Sequence, residues 1–145
     1  MACPYHYDKS QLRPQYYSDC IQKVLSYIRK TLFFEVNEFD ENLPRNKEAA
    51  IFGRTFYVDH RISIHCYCAG CAVMTILHEA GHALHYRRNG HQPQPPRSFR
   101  EQTADIFGRE ISDKLGLELK DEWKEWLLAN DVRQYPFEEP SNTWV

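Results

Sequence analysis

The chain has no run approaching the roughly 20 apolar residues that a membrane-spanning helix needs. Its first nineteen residues are polar and aromatic, with no apolar stretch of the kind a secretory signal carries. A cytoplasmic location is therefore expected. An excess of basic charge is also missing: 18 Lys and Arg stand against 20 Asp and Glu, for a formal net charge of -2. They are scattered rather than striped, so neither a nucleic acid nor a membrane is an expected partner. Nor is there a disulfide framework. Five cysteines is an odd number, and Cys66, Cys68 and Cys71 crowd into six residues, a usage that fits a reducing compartment. Internal repeats and low-complexity tracts are absent as well.

What is present suits one domain spanning residues 1–145: the length is ordinary for a single core, and 42% of the residues are hydrophobic. Residues 15–32 set Tyr17, Ile21, Val24, Leu25, Ile28 and Leu32 at a helical period. Strands are expected at 33–39, 51–58 and 61–66, with a turn at 42–46 and Asp59-His60 joining the last two. A small antiparallel sheet should result. Helix resumes over 71–88, stopped by Asn89-Gly90 and kept from resuming by Pro93, Pro95 and Pro96. Ser98 reads as the N-cap of a third helix reaching about Leu115, and 119–129 as a short fourth. A proline-containing tail begins at about 136. Helices and strands segregated in this way indicate the α+β class.

Within the second helix lies His78-Glu79-Ala80-Gly81-His82, of the form His-Glu-x-x-His. At 3.6 residues per turn the two imidazoles share one side with a carboxylate beside them, a spacing that suits a metal ion and a general base. On a helical wheel Val73, Leu77, Ala80 and Leu84 fall on one arc and His78, His82 and His85 nearly opposite, so the histidines are expected to line a cleft. Roughly one chain in forty of this composition would contain the pentapeptide by chance, so it needs support. The small residues Ala80, Gly81 and Ala83 would let a neighbouring backbone approach this helix closely.

Support comes from the third helix. A hydrolytic zinc site takes three protein ligands and an open position. Glu101 is nineteen residues after His82, and Asp105, one turn further on, can accept the free N–H of a ligating imidazole. A competing local use exists, because Ser98-Phe99-Arg100-Glu101 has the form of a capping box. Asp105 and the upstream motif favour the ligand role. His85 is expected only to line the cleft, since ligands at i, i+4 and i+7 would span about 10 Å.

Together, His78-Glu79-x-x-His82 and Glu101-x-x-x-Asp105 resemble the gluzincin metallopeptidases, of which thermolysin is the best known. The stretch from Glu101 to Phe107 is similar to the Glu-x-x-Ala-(Asp/Asn)-x-Phe pattern of small intracellular members, and the chain's size and Gly81-His82 are most similar to the ImmA/IrrE-type zinc peptidases. The resemblance covers roughly 54–115. It implies a zincin-like α+β fold, with His78, His82 and Glu101 holding Zn2+, Glu79 taking a proton from the zinc-activated water, and Asp105 orienting one histidine. It also implies hydrolysis of a peptide bond in a specific intracellular protein substrate. Tyr57, His85, Tyr86, His91 and Arg97 are all candidates for stabilising the oxyanion.

Two features stand outside that pattern. His65, Cys66, Cys68 and Cys71 can be read as a second soft-metal site, or as small buried residues. Cys71, on the histidine side of its helix, is a candidate redox-sensitive thiol. A strand ahead of the motif helix, 51–58 or 61–66, can be read as an edge that pairs with an extended peptide, or as an internal strand. A different functional class also accounts for the motif: a catalytically silent zincin-like protein-binding module, in which Glu79 would have no task. A crosslink-protease reading would need His91 as third ligand.

Overall fold

A computed structural model describes residues 13–37, 53–64, 69–130 and 144. Four α-helices and a three-stranded mixed sheet follow one another as α1 (Pro14–Tyr27), β1 (Glu35–Asn37), β2 (Gly53–Phe56), β3 (Arg61–Ile64), α2 (Ala69–Asn89), α3 (Arg97–Lys114) and α4 (Lys120–Ala129). The α+β class holds. The expected turn at 42–46 and the tail from 136 lie outside the described residues, Trp144 excepted. No helix among them is long and apolar enough to cross a membrane.

The sheet differs from the antiparallel one expected. Its order is β1-β3-β2, with β1 parallel to β3 (Val36 opposite Ile62) and β2 antiparallel to it (Thr55 opposite Ile62). β3 is therefore central, and β2 is an edge among the described strands. The tight link between β2 and β3 turns at Tyr57–His60, where His60 takes the left-handed φ of 51° and its carbonyl accepts from the Glu35 N–H at 2.8 Å. That bond starts the parallel pairing.

The first helix was expected to run to Leu32. Instead α1 gives way at Ile28–Leu32 to a wider π turn that ends on Phe33 with φ 57°. A left-handed non-glycine residue costs on the order of 1–3 kcal/mol, and it persists where neighbours hold it. Arg87 of α2 supplies the hold: its guanidinium donates to the carbonyls of Leu32 at 2.7 Å and Phe33 at 3.3 Å, groups that the helix end leaves unpaired.

α2 is the axis of the molecule. Its apolar residues Val73, Met74, Ile76, Leu77 and Ala80 are buried with Tyr17, Val24 and Ile28 of the first helical segment, Ile62 of β3, Ile111 of α3 and Trp123 of α4. Its polar residues Thr75, Glu79, His82 and His85 are buried too. The wheel correctly separates apolar from histidine sides, but partners cover both. At the far ends of the chain Tyr17 donates to the buried Glu122 carboxylate at 2.8 Å, tying α1 to α4.

Glycine determines how α3 meets α2. A Cβ on Gly81 would collide with the Ala104 carbonyl and come within 2.9 Å of the Gly108 nitrogen, and one on Gly108 would lie 2.7 Å from the Leu77 carbonyl. Two backbones touch here with no side chain between them. α3 closes differently: Gly116 at φ 70° sits in open space, and the Leu117 N–H reaches the Ser112 carbonyl at 2.9 Å in a Schellman-type stop. Gly81→Ala should therefore cost about 3 kcal/mol, as overpacking does, and Gly116→Ala about 1 kcal/mol, for its φ alone. Thermal melts of the two variants check this, and equal melting temperatures would refute the close-approach account.

Candidate metal centre

His78 and His82 stand one turn apart on α2, rings edge to face at 87° with centroids 4.7 Å apart. Because α3 lies so close, Glu101 reaches both: its Oε2 is 2.6 Å from His78 Nε2 and 3.2 Å from His82 Nε2. One turn on, Asp105 Oδ1 lies 2.6 Å from His78 Nδ1 and also accepts the Trp126 indole N–H at 2.9 Å. The other ring is held from the sheet side, with the Tyr57 hydroxyl 3.0 Å from His82 Nδ1. Each imidazole is thus fixed at Nδ1 by its own partner while both Nε2 atoms converge on one carboxylate oxygen.

Glu79 completes the cluster. One ligand atom from each of His78, Glu79 and His82 can be chosen so that all lie within 4.8 Å of one another, and the three could hold a metal ion. Thr55 Oγ1, on β2, donates toward the Glu79 carboxylate at 3.2 Å and lies 3.0 Å from the Glu79 backbone carbonyl. Gly53, on the same strand, leaves just enough room: a Cβ there would sit 3.0 Å from Glu79 Cγ. Two carboxylates therefore border the histidine pair, Glu79 from the same helix and Glu101 from across the α2–α3 contact.

The electrostatics favour a cation at the point of convergence. Burial alone would lower the His78 pKa, yet its bonds to Asp105 and Glu101 outweigh this and hold it well above the usual histidine range. Burial would likewise raise Glu101, but the two imidazoles hold it well below the usual carboxylate range. Glu79 moves the other way, pushed up by burial against the opposing pull of His82 and His78. The same negative field that favours the protonated His78 ring favours a metal cation placed among these groups, with the proton and the metal competing for the ring nitrogen. Geometry agrees: donors sharing one tetrahedral ion at about 2.0–2.1 Å lie roughly 3.4 Å apart, close to the 3.2 Å contact and a small opening from the 2.6 Å one.

Several expectations are corrected. The histidine side of α2 is covered rather than open, and solvent reaches the centre mainly where the side chains of His78 and Glu101 keep 12% and 19% exposure. Ser98 caps nothing, because α3 begins at Arg97 with Pro96 as its N-cap and no side-chain cap bond. This places Ser98 inside the first turn, and Glu101 is bonded to the histidines. His85 is not a cleft residue: it is buried among Phe99, Phe107 and Trp144. Burial first, then electrostatic interaction with His82 and Arg100, pushes its pKa down to about 4. Cys71 is a buried core thiol, which removes the basis for reading it as a sensor. His65, Cys66 and Cys68 lie outside the described residues.

Of the residues proposed for the oxyanion, Tyr57 lies nearest, bonded to His82 and kept neutral because burial and then the charge of Glu79 raise its pKa. Tyr86 stacks behind Tyr57 at 5.5 Å, and His91 and Arg97 are exposed. Arg100 is a residue sequence reasoning missed. One position before Glu101, it hydrogen-bonds the Tyr57 hydroxyl and donates to the Pro95 carbonyl at 2.6 Å. Its only sequence signal was that adjacency. Thr55, Gly53 and Trp126 were missed for want of any local signature. A separate cavity of about 530 Å³, lined by Arg13, Arg109 and Trp123 among others, lies toward the other end of α3 and contains none of these residues.

No protein-family model, curated protein or solved structure matches the chain. Its site must be judged on its own geometry.

Metal analysis of purified protein tests that geometry. His82→Ala and Glu101→Ala should each lose bound metal. Asp105→Asn, which leaves Glu101 and both histidines in place but disturbs the oxygen that bonds His78 and the Trp126 indole, should weaken affinity roughly 10–100-fold in competition with a chromophoric chelator. Unit stoichiometry retained in Glu101→Ala would assign the third position to Glu79 instead.

Proposed function

We propose that the chain is a zinc-dependent peptidase of zincin-like fold, with His78, His82 and Glu101 as the metal ligands and Glu79 as the general base. The observation that carries this reading is the convergence of both Nε2 atoms on Glu101 Oε2 while Asp105 and Tyr57 hold the two Nδ1 atoms. Two imidazoles and a carboxylate suit zinc among the divalent metals and leave a fourth position for reaction. Both rings must then carry their proton on Nδ1, donating it to Asp105 and to the Tyr57 oxygen. Zinc in such a site supplies Lewis-acid polarisation of a carbonyl and makes a water molecule acidic near neutral pH.

The protein's own groups do the rest. Glu79 accepts the proton of the attacking water at its carboxylate and returns it to the leaving amine as the C–N bond breaks. Thr55 aims that carboxylate, and Gly53 leaves it room. A carboxylate whose pKa is raised by burial is a stronger base than one in water, which suits the task. Tyr57, paired with Arg100, bonds His82 at Nδ1, on the side of the ring away from Nε2, so its role in this reading is to orient that imidazole. β2 carries Gly53 and Thr55 and is an edge among the described strands, so an extended peptide pairing with it would run past Glu79.

The test is a Glu79→Gln chain, expected to keep its metal and its melting temperature. Wild-type and variant protein, both zinc-loaded, are incubated with a proteome-derived peptide library, and new termini are counted by mass spectrometry. Wild type should generate Glu79-dependent termini that fall at least ~100-fold in the variant. Zinc bound by both with no new termini from either would favour a metal-organised binding module.

A further inference from the structure

Beside the metal centre the described residues form a pocket already filled by the chain itself. Trp144, only 5% exposed, inserts edge-on among three rings: Tyr57 at 4.9 Å and 84°, His85 at 5.2 Å and 86°, and Tyr86 at 5.4 Å and 68°. Its indole N–H donates to the Gln92 carbonyl at 2.8 Å. These walls belong to fixed parts of the fold. His85 and Tyr86 are on α2, Tyr57 opens the β2–β3 turn, and the Gln92 carbonyl is placed by the turn that closes α2, where the Gly90 N–H reaches the Tyr86 carbonyl at 2.7 Å and the Gln92 N–H reaches the Asn89 carbonyl at 2.9 Å.

We propose that this pocket is a binding site for an indole side chain, occupied in cis by Trp144 and open to a tryptophan-bearing peptide when Trp144 leaves. Three observations point to that chemistry. The rings meet the occupant edge to face, the arrangement that aromatic quadrupoles favour. The imidazole wall is uncharged, since its pKa lies near 4. The backbone acceptor favours indole over phenyl, because a phenylalanine would fill the rings without making the part-buried bond to the Gln92 carbonyl. Tyr57 links the pocket to the centre: one ring contacts Trp144, and its hydroxyl bonds His82. The occupant therefore bears on a residue that holds a metal-binding imidazole. Only the consequence for cleavage rests on the peptidase reading; the pocket itself does not.

The probe is the acetylated peptide Asn-Thr-Trp-Val, the chain's own residues 142–145, added to full-length wild type and to Trp144→Ala. Binding is followed by the backbone amide NMR shifts of Tyr86 and Gln92. Trp144→Ala should remain folded and bind saturably. Wild type should bind at least tenfold more weakly, as should the same peptide with phenylalanine in place of tryptophan when offered to the variant. Trp144→Phe should admit the peptide more readily than wild type does. Equal binding by wild type and Trp144→Ala, no binding by folded Trp144→Ala, or equal affinity for the phenylalanine peptide would overturn the proposal. Unfolding of Trp144→Ala would overturn it in favour of Trp144 as a core residue. Peptide binding as expected without Glu79-dependent cleavage would sustain the pocket while the peptidase reading fails.

Discussion

Everything at the centre depends on two helices touching backbone to backbone. Glu101 can bond both imidazoles only because Gly81 and Gly108 let α3 lie directly against α2. Ordinary helix pairs, separated by interdigitated side chains, stand 8–10 Å apart. At that spacing a glutamate would still reach one histidine, but the simultaneous contacts of Glu101 and Asp105 with opposite nitrogens of the His78 ring would be harder to keep. Two absent methyl groups thus do as much for the site as its charged residues do.

The charged residues impose a second condition. Buried carboxylates and imidazoles are costly unless each polar atom is answered, and here the answers come from separate parts of the chain. α3 answers His78 on both of its nitrogens, the β2–β3 turn answers His82, β2 answers Glu79, and α4 answers Asp105 through Trp126. The network orients the imidazoles because no member can rotate without stranding another. It also explains why so small a sheet is retained. β2 contributes little apolar burial, but it supplies Thr55 and leads into Tyr57.

Much of this was legible before the structure. Periodicity and stop signals announced all four helices, and helical spacing placed His78 with His82 and Glu101 with Asp105 one turn apart, because helical geometry is local and regular; that the two pairs meet follows from the α2–α3 contact. The sense of strand pairing was not legible: β1 and β3 are three and four residues long, and nothing within so short a strand encodes whether its neighbour runs parallel. Ser98 misled because serine is a good cap wherever it falls, whereas Pro96, with φ -55° and ψ 154°, already held the entry conformation two residues earlier. The wheel separated the faces of α2 but could not show that the polar face is roofed, since the roof comes from α3 and from Trp144, which lies 59 residues beyond His85. Thr55 and Trp126 were invisible for the same reason, and Arg100 was marked only by its place next to Glu101.

The clasp between Tyr17 and Glu122 bears on how the molecule is made. During synthesis a chain that has emerged as far as Asp105 carries every histidine and carboxylate of the centre, yet it lacks Trp126 behind Asp105, Glu122 for Tyr17 and Trp144 beside Tyr57. A domain folds as a unit, so the polar side of α2 is fully covered only when α4 and Trp144 have been made. Metal captured before then would meet imidazoles whose orientation is not yet set. If the centre takes a metal as proposed, the time at which it can select its ion is then set by the completion of this packing as well as by the ligands themselves.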